Sequence, residues 1–191
     1  MTRVARAAPH DPLRYAKFER ERRFLLAPAA LPELSADFAR IDDLYLAGTR
    51  VRLRTITPQP SGRAIHKLTQ KLQDANPRVR RITTLYLAAE EHAVFAALGG
   101  GRLVKRRHRA ESGGLEWGVD VFEGALAGLV LAEREFDSEA ELLAATAPDF
   151  AAREVTDDAA FAGGALAFGD PAAALAHAAR LLAGAPRPAG R

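Results

Sequence analysis

The chain has 191 residues, 48% of them hydrophobic and 27% charged, which suits one domain with a full core. It has no cysteine, which excludes disulfide scaffolds, thiolate metal centres and thiol nucleophiles. The net charge is a modest +3, no apolar run approaches the roughly 18–20 residues of a membrane-spanning helix, and no secretory signal is legible, so a soluble cytoplasmic protein with no membrane partner is expected.

In chain order, residues 1–14 read as an Arg/Ala/Pro-rich arm without periodicity. The main domain is expected over 15–170, with a helix and a tail over 171–191. Alternation with a period of two predicts strands at 18–26, 43–46, 49–56, 64–73, 81–87, 103–109, 116–123 and 129–137. Helical spacing predicts helices at 34–40, 88–98, 138–145 and 171–183. In the third of these, Ser138 and Glu141 fit a capping box, and Asp170-Pro171 fits an N-cap and first-turn pair in the last. Gly99-Gly100-Gly101 reads as a helix-to-strand turn. Many strands joined by short turns, with few helices, predict an α+β domain built on an antiparallel sheet or closed barrel.

Charge is unevenly spread along this pattern. Residues 50–109 carry 14 basic and 3 acidic side chains, and residues 110–170 carry 2 basic and 14 acidic. Strand parity gathers like charges on single faces. Glu19, Glu21 and Arg23 share a face, as do Arg50, Arg52 and Arg54. Lys67, Thr69 and Lys71 share another, and Lys105, Arg107 and Arg109 another. Glu133 pairs with Glu135, and Gly118, Asp120 and Phe122 fall together. The alternate positions, among them Phe18, Val51, Leu53, Leu68, Val119 and Leu131, are read as the packing face. Like charges on neighbouring positions repel, so single-sign strands make sense where the charged faces converge on a multivalent ligand inside a barrel.

The ordered set Glu19-x-Glu21-x-Arg23, Arg52-x-Arg54, Lys67 to Lys71, Lys105-x-Arg107, Trp117-x-x-Asp120-x-Phe122, Glu133-x-Glu135 and Glu154-Val155-Thr156-Asp157 resembles the CYTH domain, the triphosphate tunnel metalloenzyme superfamily. The resemblance runs from about Phe18 to Leu166. It implies an eight-stranded antiparallel β-barrel forming a triphosphate tunnel, a few flanking helices, and a triphosphate or nucleoside triphosphate substrate handled with Mg²⁺ or Mn²⁺. Two departures stand out: Arg23 replaces the motif lysine that is thought to place the attacking water, and residues 81–87 lack the acidic pair of some members, offering at most Arg81 or Thr83.

On this reading Arg52, Arg54, Lys71, Lys105 and Arg107 form the phosphate cradle, since guanidinium forks and ammonium groups match phosphate oxygens. Glu19, Glu21, Glu133 and Glu135 are the candidate metal ligands, because Mg²⁺ prefers carboxylate and phosphate oxygens. Asp120 assists the metal or pairs with a cradle arginine. Glu21 and Arg23 are the candidate catalytic residues. Arg50, Lys67 and Arg109 read as a solvated rim, and Trp117 as packing. The expected activity is hydrolysis of inorganic triphosphate to pyrophosphate and phosphate. The alternatives are a class IV-type adenylyl cyclase or a non-hydrolysing polyphosphate or nucleotide binder. Nucleic acid is not an expected partner, because the basic residues are used inside the barrel. A homodimer is left open by analogy.

Overall fold

A computed structural model describes residues 14–73, 76 and 78–184. The expected arm, apart from Arg14, and the tail beyond residue 184 lie outside the described residues. Among the described residues nine strands form: β1 (Lys17–Leu25), β2 (Phe38–Leu46), β3 (Val51–Gln59), β4 (Ile65–Gln73), β5 (Val79–Leu87), β6 (Gly100–Ser112), β7 (Leu115–Phe122), β8 (Val130–Glu135) and β9 (Arg153–Glu154). Four α-helices accompany them among the described residues: α1 (Ala89–Ala96), α2 (Glu139–Ala144), α3 (Gly163–Phe168) and α4 (Pro171–Ala183). No helix among the described residues is long and apolar enough to cross a membrane.

The sheet runs β5-β4-β3-β2-β6-β7-β8-β1-β9, and a further pairing of β5 with β1 closes the first eight strands into an antiparallel barrel. Strand β1 makes that closure by dividing its length. Lys17–Arg20 pair with Ile82–Val79 of β5, and Glu21–Leu25 pair with Glu135–Leu131 of β8. Where β5 has left it, Phe24 and Leu25 pair with β9 instead. The barrel thus has a seam at β1, strapped by residues that follow α2.

Two apolar clusters hold the barrel. The first gathers Leu25, Leu103, Phe122, Leu131, Phe161, Leu166 and Ala178, with Leu175 and Leu182 of α4 packed against it. It fills one end of the barrel's interior. The second gathers Phe24, Trp117, Val119, Val130, Ala132, Phe136 and Leu142, outside β1, β7 and β8 and beneath α2. Trp117 is fully buried there, edge-on to Phe24 with ring centroids 5.4 Å apart. Burial at roughly 25 cal/mol per Å² makes such clusters the main source of stability.

The expected helix at 34–40 does not form. Residues from Phe38 onward are strand, because Ile41, Asp43 and Tyr45 continue inward alternation between β3 and β6. Leu131 also departs from its expected face. It has the parity of Glu133 and Glu135 and lines the barrel interior with them. Capping chemistry is as read. Ser138 accepts from the Glu141 N–H at 3.2 Å, and Asp170 accepts from the Ala172 N–H at 3.0 Å. The reciprocal bond of the capping box shifts by one residue: Glu141 accepts from the Asp137 N–H. In the glycine triplet, a Cβ at Gly101 would lie 2.3 Å from the Ala167 carbonyl oxygen, so α3 can press against β6 only over a bare backbone.

Candidate functional site

The barrel encloses a cavity of about 590 Å³, lined by nine cationic side chains and four glutamates. The cations are Arg23, Arg50, Arg52, Arg54, Lys67, Lys71, Arg80, Lys105 and Arg107. The glutamates are Glu19, Glu21, Glu133 and Glu135. Every expected cradle residue and metal-ligand glutamate therefore reaches one space. Strands β3, β4 and β6, from the basic stretch of the sequence, supply most cations, and β1 with β8 supplies the glutamates, only Glu133 and Glu135 of which come from the acidic stretch. At the far end Leu103, Phe122, Leu131, Phe161 and Leu166 line the same cavity, so the interior is polar along one stretch and apolar at its base.

The cradle is propped from behind by two buried aspartates. Asp120 is 0% exposed and lies opposite Arg107 in the β6–β7 ladder. Its carboxylate takes two guanidinium bonds from Arg107, both 2.6 Å, and one from the Lys105 ammonium. Both Asp120 oxygens are thus engaged by cradle cations. Asp43 plays the same part for β3. It is 1% exposed, sits opposite Arg54, and receives a two-pronged contact from it at 2.6 and 2.7 Å. The Arg52 Nε lies 3.6 Å from it and is buried without a hydrogen-bond partner among the described residues. Burial pushes the Asp43 carboxyl up, but Arg54 and Arg52 outweigh it and hold the group below the usual range. Gly118 completes the arrangement. A Cβ there would stand 3.3 Å from the Arg107 side chain, which crosses it to reach Glu133.

The glutamates are held by cations. Lys71 donates to both oxygens of Glu19 at 2.7 and 2.9 Å. Arg80 bonds Glu21, and Arg107 bonds Glu133. Glu21 and Glu135 face each other in the β1–β8 ladder, an arrangement of like charges that costs stability without counterions. Burial and the neighbouring Glu133 push Glu21 up, yet Lys71, Arg80 and Arg23 bring it below its ordinary value. Burial pushes Glu133 up as well, and Lys105 and Arg107 hold it well below. Glu135 goes the other way. Burial raises it, and Glu19 and Glu21 add to the shift beyond what Lys71 offsets.

Arg23 borders the cavity, but its guanidinium is committed to the backbone at the base. It is 3% exposed; its guanidinium donates to the Phe161 and Thr156 carbonyls, and its Nε lies 3.5 Å from Glu21. It ties the segment after β9 onto the barrel's base.

Sequence reasoning missed Asp43 and Arg80. Both fall at the edges of strands that the alternation placed too late, so their parity was not visible. The structure also corrects the residues offered by the fifth strand. Arg80, Ile82 and Thr84 line the cavity, while Arg81 points outward, 5.2 Å over the Phe18 ring, and Thr83 shares its outward parity. Arg50 and Lys67 lie on the cavity wall, whereas Arg109 lies apart from it, in a surface groove with Glu33 and Glu111.

The metal question turns on the donor set. Four carboxylates on two adjacent strands are the hard oxygen donors that Mg²⁺ and Mn²⁺ take, and in that chemistry the residues fit. Among the described residues, no three carboxylate or imidazole groups are gathered as a metal would require. The glutamates are drawn to cations instead.

The fold is thus a closed eight-stranded antiparallel barrel with inward charged walls. Two solved structures share it. A hypothetical protein, NE1496, is 28% identical, with 80% of this chain and 99% of that chain covered at a TM-score of 0.53. A structure described as the inorganic triphosphatase NE1496 is 27% identical, with 79% and 95% covered at a TM-score of 0.51. No protein-family model and no curated protein matches the chain. In barrel, motif order and these neighbours the chain is similar to the triphosphate tunnel, or CYTH, proteins.

Proposed function

We propose that the protein hydrolyses a triphosphate, inorganic triphosphate first, to pyrophosphate and orthophosphate. One observation carries the reading: nine cations and four glutamates converge on a single cavity inside the barrel. The excess of positive charge suits a ligand bearing about four negative charges. The likeness to a structure described as an inorganic triphosphatase supports it.

In this mechanism Arg52, Arg54, Lys105 and Arg107 grip the phosphate oxygens, and Lys71 joins them. Asp43 and Asp120 keep the guanidinium planes aimed, so little reorganisation is needed as charge shifts to the leaving pyrophosphate. Glu19, Glu21, Glu133 and Glu135 would hold Mg²⁺ or Mn²⁺, which when bound neutralises phosphate oxygens and acidifies water. Glu21 orients the attacking water, and Arg23 supports Glu21 from below. Glu135 faces Glu21 across the β1–β8 ladder and would complete the carboxylate set around the metal.

A non-hydrolysing binder is the second reading, favoured by one observation. The Arg23 guanidinium is engaged with two carbonyls and is not free to place water. The deciding experiment measures phosphate release from inorganic triphosphate, ATP, thiamine triphosphate and pyrophosphate, with Mg²⁺, Mn²⁺ or EDTA. Metal-dependent release from inorganic triphosphate, lost in Glu21→Gln, is expected. Tight binding without release under any metal would establish the binder.

A further inference from the structure

Arg80 occupies a telling place. It faces Glu19 across the β1–β5 seam, bonds Glu21, and stands 3.9 Å from Glu19. Lys71, from the next strand, bonds both oxygens of Glu19. All four side chains line the cavity, so both glutamates of β1 are neutralised by groups that are themselves phosphate ligands in chemistry. The same carboxylates do not gather into a metal-holding cluster, although their oxygens suit a hard divalent cation. The ion pairs account for that.

We propose that Arg80 and Lys71 are exchangeable counterions that keep Glu19 and Glu21 from taking a divalent cation until a polyphosphate draws the two cations away. The inference rests on the triphosphate reading of the cavity. Carboxylates out of bulk water require a cation at all times. Phosphate competes well for guanidinium and ammonium groups, because it offers more charge and forked geometry. When it wins them, Glu19 and Glu21 lose their partners, and a hard cation is the fitting replacement. Anion and metal then bind with positive coupling, and each raises the other's affinity by the same factor. Arg80 gates metal entry rather than merely adding charge to the cradle.

The test reads metal binding, not turnover. Free Mn²⁺ is titrated by electron paramagnetic resonance against the unmodified protein, Arg80→Gln and Arg81→Gln, with no polyphosphate present. Arg81→Gln removes the same charge one residue away, on the outer face. Arg80→Gln is expected to bind Mn²⁺ about tenfold more tightly than the unmodified protein, the order expected for removing one competing charge at contact distance, with Arg81→Gln unchanged. Sulfate, a weakly chelating anion, is expected to tighten Mn²⁺ binding in the unmodified protein and to do less in Arg80→Gln. Melting curves confirm folding, and Lys71→Gln carries the same comparison if Arg80→Gln does not fold. Calorimetry of tripolyphosphate with the metal-free, unmodified protein separates the two failures. Tripolyphosphate binding together with unchanged or weaker Mn²⁺ affinity in the variant overturns the gating and leaves the triphosphate reading standing. Absence of any tripolyphosphate binding overturns both.

Discussion

Asp43 and Asp120 contribute by being out of reach. Neither lines the cavity, yet each fixes two cations that do. Removing one charge from a buried network leaves its partners uncompensated, which costs roughly 3–5 kcal/mol. Asp120→Asn is therefore expected to lower the free energy of unfolding by that order and to raise KM for tripolyphosphate, because Arg107 and Lys105 lose their alignment. Unfolding and steady-state assays on the same preparation check both. The glutamates give a pH signature with opposite signs. Glu133 lies well below its ordinary 4.5, so its contribution is complete above 4.5 and is lost as pH falls through the lowered folded value. Glu135 lies above 4.5, so the folded protein holds that proton more tightly than the unfolded chain, and stability falls as pH rises from 4.5 through the raised folded value. Glu135→Gln should melt higher than the unmodified protein at neutral pH, with the two curves converging below 4.5. Glu133→Gln should melt lower at neutral pH. Thermal melts across pH read both signs.

At the scale of elements, the segment from β9 to α3 closes the barrel's base. Arg22 grips Glu154 through two bonds of 3.0 and 2.7 Å, Arg78 reaches Asp157, and Arg23 holds the Thr156 and Phe161 carbonyls. His177 of α4 bonds Asp158 at 2.7 Å and stacks on Phe161. Arg23→Lys restores the motif residue but offers a point charge in place of a fork, leaving a buried carbonyl unpaired. It is expected to cost about 1–3 kcal/mol, while freeing a cation near Glu21. Urea unfolding measures the first effect, and kcat for tripolyphosphate the second. Phe161→Ala removes one of the two buried phenylalanine rings from the apolar plug at this base and is expected to cost roughly 3–5 kcal/mol. Much of this level was legible beforehand. Alternation found all eight barrel strands, and parity put Glu19, Arg52, Lys71, Lys105 and Glu133 on inward faces. The plug was not legible, because Leu103, Phe122 and Leu131 share the parity of charged neighbours and only barrel closure tells which end of a strand is dry.

For the whole molecule, the segregation of charge along the chain becomes a field inside a barrel. Cations outnumber carboxylates on the cavity wall, and a low-dielectric rim focuses that excess. The capture of tripolyphosphate should weaken as salt shortens the Debye length from about 30 Å at 0.01 M to about 8 Å at 0.15 M. KM is expected to rise several-fold over that range with kcat little changed, as measured at constant free metal. Barrel pairings beyond hairpins were hidden in the sequence. Nothing local says that Lys17 meets Ile82 or that Glu21 meets Glu135. Those registers follow from which faces must be wet, and they emerge only when the ring is complete.

The seam at β1 carries a consequence for how the chain is made. The first strand leaves the ribosome early, and its partners begin only at Val79, Val130 and Arg153. Strand β5 can take only Lys17–Arg20, so until β8 and β9 emerge the run Phe24-Leu25-Leu26, fully buried in the folded protein, has no strand to join and stays open to other nascent chains. Arg20, Arg22 and Arg23 stand directly before that run. Flanking charges of this kind suppress strand-to-strand aggregation, so these arginines, which later strap the seam, serve the unfinished protein as gatekeepers.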